Sequence, residues 1–174
     1  MVDGTSGTTG TNRFDLLSEA AETLLDNLTE RYLVERRENK EPFGLDEALV
    51  RTVRLIPRMP TAAPLAVQFT DSGLRLRLGR WWEEPLPACP CDTCDEDPKV
   101  TAERLRIHTG ALIEGGLWER VRRGLIGSWF ETRLIGAGVQ ADQEGPLSAA
   151  GARDARREGF AAPVQWAPWQ VRSH

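Results

Sequence analysis

No run of apolar residues in this 174-residue chain exceeds a few positions. A membrane-spanning helix needs about 20 in succession, so none is expected. Basic residues are no commoner than acidic ones, 22 against 26, and the net charge of −4 leaves no electropositive footprint for nucleic acid or an anionic surface. Lysine is nearly missing: only Lys40 and Lys99 occur, and arginine makes up the rest. The planar guanidinium fork suits carboxylates and phosphates, but a GC-rich genome produces the same bias without any function behind it. Histidine occurs twice, at His108 and His174, which leaves little for a histidine-based metal or catalytic site. Absent too are the GxSxG, HExxH, phosphate-loop and dinucleotide fingerprints in any strand-to-helix context. An enzyme reading therefore has no constellation of residues to stand on, and no nucleic acid or membrane is expected as partner.

Cysteine is scarce but concentrated. All three fall in Pro87 to Pro98, "PACPCDTCDEDP", as Cys89, Cys91 and Cys94, followed or interleaved by Asp92, Asp95, Glu96 and Asp97. The Cys91-x-x-Cys94 spacing is that of a zinc knuckle, and Cys89 offers a third thiolate. A structural zinc wants four ligands, and a carboxylate such as Asp92 or Asp95 is the nearest completion. His108 is a poor one. On a helix starting at Pro98 it lies ten residues along, about 15 Å from the loop at 1.5 Å per residue. The same distance argues against a Cys-His nucleophile. Four acids beside the thiols push their pKa values upward unless a cation is present, which opposes a thioredoxin-like use. The expectation is a metal-free acidic turn; the alternatives are a zinc site on Cys89, Cys91, Cys94, Asp92 and Asp95, and a thiol oxidoreductase.

Periodicity sets the fold expectation. Residues 1–12 are mostly Gly, Thr and Ser with little to bury and read as a disordered lead-in without a basic or apolar leader region, so a cytoplasmic protein is expected. Asn12 can cap a helix whose stripe runs Phe14, Leu17, Ala21, Leu24, Leu25, Leu28 and Tyr32. Leu49 to Ile56 alternates as a strand, and "LAVQFT", "DSG" and "LRLRLGRWW" read as a β-hairpin with Leu74, Leu76 and Leu78 on one face and Arg75 and Arg77 on the other. Asp97 and Pro98 open a helix that Gly115 and Gly116 end. "LWERVRRG" reads as a short helix, "LIGSWFETRLIG" as a strand with Ile126, Phe130 and Leu134 together, and Leu147 to Glu158 as a helix after a glycine-rich loop. Residues 13–174 are thus expected to form one α+β domain, a long N-terminal helix and further helices packed on one face of an antiparallel sheet.

Two surface features invite a binding reading. Arg75, Arg77 and Arg80, with Arg51 or Arg54 from a neighbouring strand, could make a basic sheet face, unless Glu83 and Glu84 neutralise it. Trp81 and Trp82 are adjacent on a strand and so point to opposite faces, which takes at least one of them out of the main core. Most of the six tryptophans read as core filling beside five Phe and one Tyr. The leading expectation is a non-enzymatic binding or accessory protein, with another protein as partner.

The run "CPCDTCDE", with the upstream "AAPLAVQFTDSGLRLRLGRW" and the late "WAPW", resembles the CGCDACDE-type signature of an uncharacterised domain family of high-GC bacteria. Pro90 stands where that signature has Gly, and Thr93 where it has Ala. The resemblance implies no activity, cofactor or partner.

Overall fold

A computed structural model describes residues 13–44, 48–89 and 96–173. The chain is α+β, with three helices and two antiparallel sheets among these residues, rather than helices on a single sheet. Helix α1 (Arg13–Arg31) forms where the leucine stripe lies. Leu17, Ala21, Leu25 and Leu28 are all buried, and Tyr32 just beyond the helix joins them. Asn12, the expected cap, lies outside the described residues.

Five strands follow, β1 (Val34–Phe43), β2 (Ala48–Pro57), β3 (Leu65–Thr70), β4 (Gly73–Leu78) and β5 (Trp82–Leu86), each pairing with the next. The first has no apolar alternation at all. "VERRENKEPF" is an edge strand whose charges discourage pairing with another chain, and α1 holds it through Arg36, which binds Asp26 and Glu22. The β3–β4 hairpin has the expected register, Thr70 opposite Gly73. Gly73 sits at φ +126°, and a Cβ there would fall 2.2 Å from the Leu86 carbonyl oxygen. Glycine is therefore required where β4 meets β5.

Helix α2 (Pro98–Ile113) starts as its sequence dictates: Asp97 accepts from the Lys99 N–H at 2.8 Å, with Pro98 at the first helical position. The second sheet runs β8-β7-β6-β9, built from β6 (Leu117–Arg123), β7 (Ser128–Gly136), β8 (Val139–Leu147) and β9 (Val164–Gln165). Here the structure corrects three expectations. "LWERVRRG" is strand β6, because Leu117, Glu119 and Val121 alternate inward; with a glutamate among the inward residues the period of two is hidden. The expected glycine-rich loop is strand β8. Ile126, expected on β7, lies on the turn before it and is 90% exposed. Helix α3 (Ala149–Arg157), capped by Ser148, packs on β6, β7 and β8.

One hydrophobic cluster joins the pieces: Leu25 of α1, Leu55, Leu76 and Trp82 of the first sheet, Leu112 of α2, and Leu117 and Leu134 of the second. A smaller one holds α3 through Ala152 and Ala155 with Val121 and Phe160. Fully burying a leucine is worth about 1.5–3 kcal/mol, so this shared cluster dominates cohesion between the sheets.

Candidate functional site

The basic patch is built, but it is neutralised. Register places Arg54 opposite Ala66 and Ala66 opposite Arg77, so Arg54 joins Arg75 and Arg77 on one face while Arg51 takes the other. Glu83 receives both Arg75 (3.0 Å) and Arg77 (2.9 Å). Arg54 forks onto Glu41 at 2.6 and 2.5 Å, and that hydrogen bonding holds Glu41 below the usual carboxylate range. Arg80 binds Glu158. Glu84 takes no part, because it lies on the opposite, core-facing side of β5. Trp82 is buried at 2% exposure and contributes no surface. Its neighbour Trp81 does leave the main core, stacking on Phe130 at 5.7 Å and meeting Phe160 edge-on.

Among the expected metal ligands, Cys91, Asp92, Cys94 and Asp95 lie outside the described residues. Cys89 is half-buried. The two ends of the segment are drawn together: the Ala88 N–H donates to Glu96 Oε2 at 3.2 Å, and Arg104 binds Glu96 at 2.6 Å. Arg104 also stands 4.0 Å from Glu84, whose other oxygen lies against His108 Nδ1. His108 is thus engaged by β5, with its ring edge-on to Trp82 at 6.1 Å. These four side chains pin α2 to the edge strand of the first sheet. Among the described residues, no group of three or more His, Cys, Asp or Glu side chains is placed to hold a metal ion.

Where the two sheets meet, Glu119 is fully buried. Its carboxylate accepts the Arg80 N–H (3.0 Å), the Trp81 N–H (2.9 Å) and the Trp166 indole N–H (2.8 Å). Burial pushes its pKa up, and those three donors oppose the rise. The group ties the β4–β5 turn and the C-terminal tail to β6, which is a structural task.

The second sheet presents a different surface. Trp118, Arg120 and Arg122 of β6 share its outer face with Trp129, Glu131 and Arg133 of β7 and with Asp142 and Glu144 of β8. Guanidinium groups lie over both indoles: Arg120 at 5.2 Å and Arg133 at 6.0 Å from the Trp118 ring, Arg122 at 5.7 Å from Trp129. Burial pushes Glu131 up, but Arg120 and Arg122 together hold it below the usual range. A concavity of about 630 Å³ runs across this face. The β6–β7 turn then carries Leu125 and Ile126 out into solvent between Gly124 and Gly127, at 108% and 90% exposure.

A family model described as Family of unknown function (DUF6226) matches residues 3–173. The chain belongs to this family. No curated protein and no solved structure matches it.

For this DUF6226 member, then, the site rests on geometry. Composition reads Trp118 and Trp129 as core filling, and alternation places Ile126 in a strand. One signal was available: "GLIG" puts two aliphatic residues between glycines, at a hairpin tip where Asn, Asp and Gly are the usual occupants.

Proposed function

We propose that this protein is a non-enzymatic binding or accessory module, formed by residues 13–174 as one α+β domain, that docks another protein through the outer face of the second sheet and its hairpin tip. The observation that carries this reading is the pair Leu125 and Ile126, fully exposed side by side and continuous with the half-exposed Trp129. Exposed aliphatic pairs at a turn do nothing for the fold, whereas a partner's pocket can desolvate them. Tryptophan and arginine, which flank them, are the residue types that most often anchor interfaces. The arginines of this face are matched by Glu131, Asp142 and Glu144, so the face suits a protein better than a phosphate backbone. The scarcity of lysine supports a high-GC bacterial source, and the sparing use of cysteine supports a cytoplasmic setting.

A photocrosslinking side chain at position 125, in the native host, tests the reading, with position 100 as control because Val100 is exposed on the far helix α2. Position 125 should give one discrete crosslinked species, absent at position 100 and lost in Trp129→Ala. The same species from both positions overturns the proposal. So does a compact set of substitutions that abolishes turnover of some substrate without unfolding the chain.

A further inference from the structure

Most arginines among the described residues are answered by a carboxylate: Arg54 by Glu41, Arg75 and Arg77 by Glu83, Arg80 by Glu158, Arg133 by Asp142. One groove departs from this pattern. It lies on the face of the β6–β7 hairpin opposite Trp129, where α3 packs, and has a volume of about 370 Å³. Arg123, Arg153 and Arg156 line it, together with Gly124, Gly127 and Ser128, and no carboxylate does.

The topology explains the convergence. Arg123 is opposite Ser128, and Ser128 opposite Leu147, so these rungs share the face that α3 covers. On α3, Ala149, Ala152, Arg153 and Arg156 recur at helical spacing and face the groove. Asp154, the only acid of that helix, turns away to Arg157 at 3.5 Å, and Glu158 just beyond it is taken by Arg80. From β8 the groove receives only Leu147. Arg156 donates to Ser128 Oγ at 2.7 Å, which holds one guanidinium across the gap. The first turn of α3 carries no acidic residue, so apart from the Ser148 hydroxyl, which accepts the Gly151 N–H at 3.0 Å, no carboxylate offsets its N-terminal partial charge.

The geometry points to a phosphate-binding groove, with Arg123, Arg153 and Arg156 as the ligand-holding side chains. A carboxylate offers two oxygens and, among the described residues, answers at most two arginines, as Glu83 and Glu131 do; a phosphoryl group offers three, and a pyrophosphate more, which suits three convergent arginines. In a chain of net charge −4, a site of this sign is local rather than a consequence of overall charge. The groove opens on the other face of the hairpin from the tryptophan surface and shares with the partner-docking reading only the turn glycines Gly124 and Gly127.

Amide spectra of the 15N-labelled full chain, titrated with sodium pyrophosphate at constant ionic strength, test the site. Saturable shifts should appear at Gly124, Gly127 and Ser128, and the Arg123→Glu/Arg153→Glu double variant should bind at least about tenfold more weakly, a loss expected from removing two charge-assisted contacts. Both positions are exposed, so the variant should retain the spectrum of the core. A second arm presents the same chemistry as a lipid headgroup, using vesicles of phosphatidylglycerol against phosphatidylcholine. Pyrophosphate saturation assigns a soluble phosphate ligand; a response to phosphatidylglycerol alone, at the same amides, assigns a headgroup. No saturable shift in either arm, or equal shifts in the double variant, overturns the proposal.

Discussion

The two sheets cover their outer faces differently. On the five-stranded sheet, the long charged side chains of Arg54, Glu41, Arg75 and Glu83 lie across a face on which Thr52, Ala66 and Gln68 are buried, with Gln68 bonded to Thr52 at 3.3 Å. Apolar surface is closed off there by the protein itself. On the four-stranded sheet the arginines also find carboxylates, but they stack on indoles that stay half-open, and the hairpin ends in two bare aliphatic residues. A charged face is therefore not a binding face merely because arginine is abundant. What distinguishes the outer face of the second sheet is its half-open indoles together with Leu125 and Ile126, which no described side chain covers.

The largest effect should come from the joint between the sheets. Glu119→Ala removes the buried acceptor of three part-buried N–H donors, those of Arg80, Trp81 and Trp166. Each such group costs about 1–3 kcal/mol when unsatisfied, so unfolding free energy by urea titration should fall by roughly 3–5 kcal/mol. A loss under 1 kcal/mol would mean that the sheets are joined by the hydrophobic cluster alone. Glu119→Gln isolates the charge. Burial raises the folded-state pKa of Glu119 above its unfolded value, so the folded state binds the extra proton between the two values. Its contribution is then fully present below the unfolded pKa and is lost as pH rises through the folded one. The stability of wild type minus that of Glu119→Gln should accordingly grow as pH is lowered across that window. A flat difference would show that the three donors fully offset the burial.

Glu119 also explains where sequence reading failed. Helices α1 and α2 and the β3–β4 hairpin were legible, because an apolar stripe, an Asp97–Pro98 start and the alternation of Leu74, Leu76 and Leu78 each signal one structure. Strand β6 was not, since its middle inward residue is a glutamate whose partners come from 38, 39 and 47 residues away. Strand β8, "VQADQEGPL", has too little apolar content to alternate visibly, and β1 is a charged edge. The candidate surface escaped for a related reason. Composition cannot say whether a tryptophan fills a core or lies open beneath an arginine, and Trp82 and Trp118 show both outcomes. Glu83 and Glu84 divide in the same way, one matching the arginine patch and the other facing His108.

A smaller effect on stability, with a large one on binding, separates the two faces. Leu125→Asp with Ile126→Asp removes apolar surface that touches no core residue, so the denaturation midpoint should correspond to a change within about 0.5 kcal/mol, while the crosslinked species disappears. By contrast Leu76→Ala, in the fully buried row of the first sheet, should cost about 2–5 kcal/mol and leave crosslinking at position 125 unchanged wherever the variant is folded. Loss of stability in the double aspartate variant would show that the tip packs on the chain's own surface.

The smallest expected effect concerns the cysteine-bearing segment. A zinc ion that the fold depended on would contribute on the order of 10–16 kcal/mol in apparent binding free energy, and its removal would unfold the protein. Among the described residues, however, the buried clusters are assembled from α1, α2, α3, the two sheets and the tail, and α2 is fixed to β5 by Arg104 and His108. Protein purified without added metal should therefore show no stoichiometric zinc by elemental analysis, and dialysis against a chelator should leave the unfolding midpoint where it was. One equivalent of zinc together with a lowered midpoint after chelation would break the contrast drawn above, because the first sheet would then also carry a functional site, at the end of β5.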